Sequence, residues 1–147
     1  MVTQVLLRLS LDLPRDAGTV AMARRALDGA LAGVGFEDDC RGDIQLALSE
    51  ACANVIAHAV AAVDYTVDVT VDGDRCVIEV SDQGGGFVPS LSAMPGQSAT
   101  SGRGLPIVAA LVDDLDVVSN TGTGTLLRFA KRLAWAGYNQ HARQRPD

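Results

Sequence analysis

"YTVDVTVDGDRCVIEVSDQGGGF", residues 65–87, is two strands and a turn, and its reading decides the fold. Tyr65, Val67, Val69 and Val71 alternate with Thr66, Asp68 and Thr70, and the same period of two runs through Cys76, Ile78 and Val80. Successive side chains of a strand point to opposite faces, so each segment has one apolar face and one polar face. "DGD" at 72–74 between them is a strong turn signal, which makes the pair an antiparallel hairpin. "QGGGF" then ends the second strand.

Working outward, "TQVLLRLSLDL" near the start also alternates, with Val5, Leu7, Leu9 and Leu11 on one face. Pro14 and Asp16 open a helix bearing Val20, Met22, Ala23, Ala26, Leu27, Ala30 and Leu31, and "GVGF" at 33–36 stops it. "EDD" at 37–39 supplies caps and first-turn acids for a second long helix, or simply a solvated face, which is the preferred reading. Beyond the hairpin, residues 88–103 are rich in Pro, Gly and Ser without periodicity, a loop long enough to suggest function or disorder. "LPIVAALVDDL" is helical, with Leu105, Val108, Ala109 and Val112 as its buried side. "DVVS" and "TLLRFAKRL" are two further strands across a Gly-Thr turn. The order β-α-α-β-β-α-β-β predicts an α/β two-layer sandwich, a mixed and mostly antiparallel sheet covered on one face by helices. Residues 1–133 form one domain and 134–147 a polar tail.

The 147 residues suit one domain with a proper core. At 48% hydrophobic and 20% charged the chain is globular, and a net charge of -6 argues against nucleic acid as the main partner, a local basic patch at Arg128, Lys131 and Arg132 aside. Cys40, Cys52 and Cys76 have no CxxC spacing, and Cys52 and Cys76, which sit in apolar patterns, read as buried thiols in a reducing cytoplasm. Arg8 interrupts the first strand where a signal peptide would need an unbroken apolar run, and no stretch is long enough to span a membrane.

The second helix contains an anomaly. In "ALSEACANVIAHA", residues 47–59, Glu50, Asn54 and His58 recur every four residues through an otherwise apolar run. At 3.6 residues per turn they form one polar stripe. A buried amide without a partner costs roughly 1–3 kcal/mol, so the stripe must meet solvent, a polar partner, a ligand or a metal. Each residue also has a plainer reading: Glu50 in a surface ion pair, Asn54 capping a loop. His58 reads better as a packed structural residue than as a catalyst.

Three glycine clusters follow. "DQGGGF" places Asp82 at a strand end before Gly84, Gly85 and Gly86; "SGRGLPIV" places Gly102 and Gly104 at a helix start; "TGTGT" places Gly122 and Gly124 before the last strand. Glycine allows close approach to the backbone, and the free N–H groups of a helix start attract phosphate. A carboxylate such as Asp82 suits an adenine amine. Any one cluster is also what an ordinary turn needs, and Asp82 and Arg103 also read as turn residues. No GxxxxGK, completed GxGxxG or GxSxG is present.

Taken in this order, with the long loop between the second and third, the motifs resemble the GHKL superfamily of ATPases and kinases, the Bergerat ATP-binding fold. "EACANVIAHA" resembles its N box, "DQGGGF" and "GRGLPIV" its two glycine boxes, and "GTGT" its closing box, over roughly residues 5–132. The small size resembles the bacterial anti-sigma-factor serine kinases. The resemblance implies that ATP and Mg2+ bind here, with Asn54 on the magnesium, Glu50 as general base and Asp82 on the adenine amine. It implies that Gly84 and Gly86 lie against the base and that Gly102, Arg103 and Gly104 meet the phosphates, with Leu105 beside them. Thr125 would complete the adenine pocket, and residues 88–101 would be the lid. The lid carries no Lys or Arg before Arg103. The implied activity is protein serine phosphorylation by a cytoplasmic protein that binds a sigma factor and phosphorylates an antagonist protein. A nucleotide-sensing binding module without useful catalysis is the alternative. The alternating first strand makes a homodimer, paired edge to edge, plausible on the same grounds.

Overall fold

A computed structural model describes residues 5–58, 62–82, 99–120 and 124–134. Along the chain run β1 (Val5–Pro14), α1 (Thr19–Val34), α2 (Asp38–His58), β2 (Asp64–Asp72), β3 (Arg75–Asp82), α3 (Ala99–Leu111), β4 (Asp114–Asn120) and β5 (Gly124–Arg132). This is the element order expected from the sequence. The strands form one sheet in the order β1-β2-β3-β5-β4, and each of its four pairings is antiparallel. The hairpin turn falls at Gly73, whose φ of 62° is strained for any residue with a Cβ.

Register turns the alternation into rows across the sheet. One row runs Leu9–Val69–Ile78–Phe129–Leu115, the next Leu11–Val67–Val80–Leu127–Val117, and the next Leu13–Tyr65–Asp82–Thr125. Ile78, Phe129, Val67, Val69, Val80, Leu127 and Tyr65 are buried, because this is the face the helices cover. The opposite face carries Ser10, Asp68, Glu79, Arg128 and Asp116 as a polar row.

α1 contributes Ala23, Leu27 and Leu31, four residues apart and therefore on one face. Gly35, with φ 110°, ends it: its N–H reaches the Ala32 carbonyl and the N–H of Phe36 reaches Leu31, the double closure in which glycine is favoured for its left-handed backbone. α2 buries Ile44, Ala47, Leu48, Ala51, Cys52 and Val55. Arg41 ties the two helices together through Asp28 at 2.6 Å and also pairs with Asp38. Asp38 therefore lies on the solvated face expected of the "EDD" acids, with Arg41 as its partner.

Some boundaries and neighbours differ from expectation. α1 starts at Thr19 rather than near Pro14, because Pro14 is still in register with Asp64 at the end of the sheet and residues 15–18 form the turn. Ala109 is exposed; Leu105 and Val108 are the buried residues of α3, and Val112 lies just past its end. Of Arg128, Lys131 and Arg132, the alternation of the strand sets Lys131 apart, and the other two share the outer face, each beside an acid. Lys131 lies on the helix side, its Nζ donating to the Leu111 carbonyl at 2.8 Å, while Arg128 pairs with Glu79 and Arg132 with Asp74. No helix among the described residues is long and apolar enough to cross a membrane.

Candidate nucleotide site

The polar stripe of α2 has its centre buried and its ends part-exposed. Asn54 is 4% exposed, while Glu50 and His58 are half-buried. The Asn54 Nδ2 is shut off from solvent and has no hydrogen-bond partner among the described residues. Buried amides are normally paired, because losing water without a replacement is expensive. An unpaired amide on a helix that packs against α3, β3 and β5 is what a site for a polar ligand requires.

The sheet supplies the second part. Asp82 is 4% exposed and faces Thr125, 2% exposed, across the β3–β5 ladder. The two are the buried polar side chains of an inner face that is otherwise apolar along β3 and reads Thr125, Leu127, Phe129 on β5. Asp82 stands at the strand end because the hydrophobic alternation of Cys76, Ile78 and Val80 carries position 82 to the same face. A carboxylate in that place, its Oδ2 closed off from solvent, suits a ligand that donates hydrogen bonds.

α3 supplies the third. It begins at Ala99, a turn earlier than expected, so Gly102 belongs to its first turn and Arg103, Gly104 and Leu105 continue it. The free N–H groups of a helix are its first four, which run here through Gly102; the N–H of Gly104 lies beyond them. Pro106 sits inside the helix and has no N–H, so the Gly102 carbonyl is also released from the usual bond four residues on. Leu105 is buried at 5% and anchors α3 to the core. Gly84, Gly86 and most of the expected lid lie outside the described residues.

Behind these groups is a network that no local pattern announces. The Tyr65 hydroxyl is 2.6 Å from Thr19 Oγ1, and Thr19 in turn donates to the Asp16 carbonyl at 2.7 Å. Burial pushes the Cys52 thiol and the Tyr65 phenol up, each to about 12, and the Cys76 thiol to the same value. Arg15 closes the C-terminal end of α2: its Nη1 donates to the Ile56 carbonyl at 2.6 Å and its Nε to the Ala62 carbonyl at 3.0 Å. Tyr65 was legible as a core position. Its partner lies 46 residues away, beyond any local pattern.

Magnesium suits hard oxygen ligands and keeps several waters. No group of three His, Cys, Asp or Glu side chains is gathered for a metal among the described residues. The carboxamide oxygen of Asn54 is a ligand of the kind that a magnesium keeping its waters accepts, while its Nδ2, a donor without a partner among the described residues, suits an acceptor on a ligand.

Comparisons with known proteins agree with this geometry. Residues 13–131 match the family described as the histidine kinase-like ATPase domain. The serine-protein kinase RsbW of Bacillus pumilus is 29% identical over 140 residues, covering 84% of this chain and 86% of that protein. RsbW of Listeria monocytogenes is 26% identical over 133 residues, covering 82% of this chain and 85% of that one. Among solved structures, the RsbU and RsbW domains of a Mycobacterium tuberculosis protein superpose with a TM-score of 0.67 at 22% identity; 86% of this chain is covered, and it spans 32% of that longer chain. The SiaB–SiaC complex of Pseudomonas aeruginosa gives the same TM-score at 16% identity, with 86% of this chain and 89% of that chain covered. At these identities the structural likeness is one of fold. With the family matched over most of its length, the chain belongs to the histidine kinase-like ATPase domains.

Proposed function

We propose that this protein is an ATP-dependent protein serine kinase that acts as an anti-sigma factor, binding a sigma factor and phosphorylating a serine of a small antagonist protein. The observation that carries the site is the buried Asn54 amide, whose Nδ2 has no partner among the described residues, one helical turn from a part-exposed carboxylate, Glu50. The RsbW relatives, which match along most of their length, support serine as the acceptor.

The roles follow from position. Asp82 accepts from the adenine amine and Thr125, its cross-strand neighbour, bonds to the base through its hydroxyl. Gly102, in the first turn of α3, offers its N–H to phosphate, with Arg103, Gly104 and Leu105 flanking it. The family resemblance assigns Gly84 and Gly86 to the base and residues 88–101 to the lid; both glycines and most of that segment lie outside the described residues. Asn54 holds magnesium, which when bound supplies charge neutralisation on the phosphates. Glu50 is exposed enough to meet an incoming hydroxyl and takes its proton as the serine oxygen attacks the γ-phosphorus. The bond from that phosphorus to the bridging oxygen breaks, and ADP leaves. β1 lies at the sheet edge with Val5 and Leu6 exposed, which supports an edge-paired homodimer. Three free, buried thiols support a reducing cytoplasm.

The test is to incubate purified protein with γ-labelled ATP, magnesium and the candidate antagonist. Label on a partner serine is expected. Nucleotide binding without label on any partner would leave a nucleotide-sensing module in place of a kinase.

A further inference from the structure

We propose that Arg15 is a positioning residue for the nucleotide site, clamping the end of α2 so that the Asn54 carboxamide stays aimed for magnesium. The inference rests on the nucleotide reading of that site.

The last four carbonyls of a helix have no partner within it. α2 ends at His58, and the N–H that would meet the Ile56 carbonyl belongs to residue 60, beyond that end. Arg15 takes its place from outside, its Nη1 donating to the Ile56 carbonyl at 2.6 Å. The same guanidinium reaches the Ala62 carbonyl through Nε at 3.0 Å, and the Arg15 backbone N–H donates to the Val63 carbonyl at 3.0 Å. One residue thus fastens the last turn of α2 and the chain that leads into β2. Its charge also lies at the negative end of the helix dipole, where a cation is favoured.

The clamp is itself held from the sheet. Arg15 follows Pro14, which is in register with Asp64 at the end of the β1–β2 ladder. Just beyond, Thr19 Oγ1 donates to the Asp16 carbonyl at 2.7 Å and lies 2.6 Å from the Tyr65 hydroxyl. Tyr65 stands opposite Asp82 in the sheet. Hydrogen bonds and strand register therefore run from the Asp82 row, through the turn that bears Arg15, to the end of α2.

Asn54 lies two residues before Ile56 and is 4% exposed. Magnesium demands near-ideal octahedral geometry, so a carboxamide that strays is a poor ligand. The apolar contacts of α2 would tolerate a small shift of its end, since hydrophobic contact is non-directional. The guanidinium would not, because its donors are set in a rigid fork.

The experiment measures ADP affinity by calorimetry with and without Mg2+, and melting temperature, for wild type, Arg15→Met, Arg15→Lys and Arg41→Met. Arg41 is the control, since it ties the other end of α2, to Asp28 at 2.6 Å and to the Phe36 carbonyl at 3.1 Å. Arg15→Met should bind ADP alone as wild type does, while the gain in affinity on adding Mg2+ falls about three- to tenfold, the size of one ordinary hydrogen bond. Arg15→Lys should lose most of the same gain, since an ammonium lacks the fork. Arg41→Met should lower the melting temperature and keep the wild-type response to Mg2+. A wild-type Mg2+ response in Arg15→Met, or an equal loss of it in Arg41→Met, overturns the clamp while leaving the nucleotide reading intact. Failure of wild type to bind ADP, or to respond to Mg2+, overturns both. Should Arg15→Met fold poorly, Arg15→Lys keeps the charge and the stem, loses the fork and decides the matter.

Discussion

Asp82 and Thr125 face each other across β3 and β5, each almost fully buried, at the end of a sheet face whose neighbouring rows are apolar. A carboxylate and a hydroxyl side by side in a core need hydrogen-bonding partners, and their place at the end of the sheet suits a ligand that supplies further ones.

Removing the carboxylate should weaken nucleotide binding. Asp82→Ala is expected to weaken adenine-nucleotide binding by about 10- to 100-fold, as loss of a hydrogen bond to a charged group does. Calorimetric titration checks it, with a melting curve to show that the fold stands.

Asn54→Ala should separate stability from affinity in the same manner. The Nδ2 has no partner to lose among the described residues, so the melting temperature should hold or rise by a few degrees. The increase in nucleotide affinity on adding magnesium should disappear. A variant that still responds to magnesium as wild type does would remove Asn54 from the metal.

Glu50→Gln is expected to bind nucleotide normally and to lower the rate of phosphoryl transfer by about 10²- to 10⁴-fold, the usual contribution of a general base. Single-turnover transfer to the antagonist protein measures it. Wild-type transfer rates in this variant would refute the assignment.

Alkaline pH should unfold the protein through its buried acids. Burial holds Cys52, Cys76 and Tyr65 at about 12, against ordinary values of 9.0 for the thiols and 10.0 for the phenol. Their neutral forms are favoured in the folded state, so their contribution is fully present below pH 9 and is lost as pH rises toward 12. Each thiol should lower unfolding free energy by about 1.4 kcal/mol per pH unit in that window. Denaturant titrations from pH 8 to 10.5 should show this fall, and a shallower one for Cys76→Ala.

Arg15 bonds two carbonyls, that of Ile56 in α2 and that of Ala62 just before β2. Arg15→Met should cost about 1.5–3 kcal/mol in denaturant unfolding. Arg15→Lys should recover little, because an ammonium lacks the fork that spans both acceptors.

The sequence alone determined the element order and the inner face of β2 and β3, because hydrophobic alternation is a local property that each strand carries in its own residues. It also singled out Glu50, Asn54 and Asp82, since charge or amide in an apolar run is visible without any fold. Tertiary structure alone decided the rest. The register that sets Asp82 between Tyr65 and Thr125 depends on three strands from distant parts of the chain. The bond from Tyr65 to Thr19, the closure of α2 by Arg15 and the removal of Lys131 from its basic neighbours all join residues that share no local pattern. Side-chain hydrogen bonds over such separations exist only after hydrophobic burial has brought the elements together, so no window of sequence contains them.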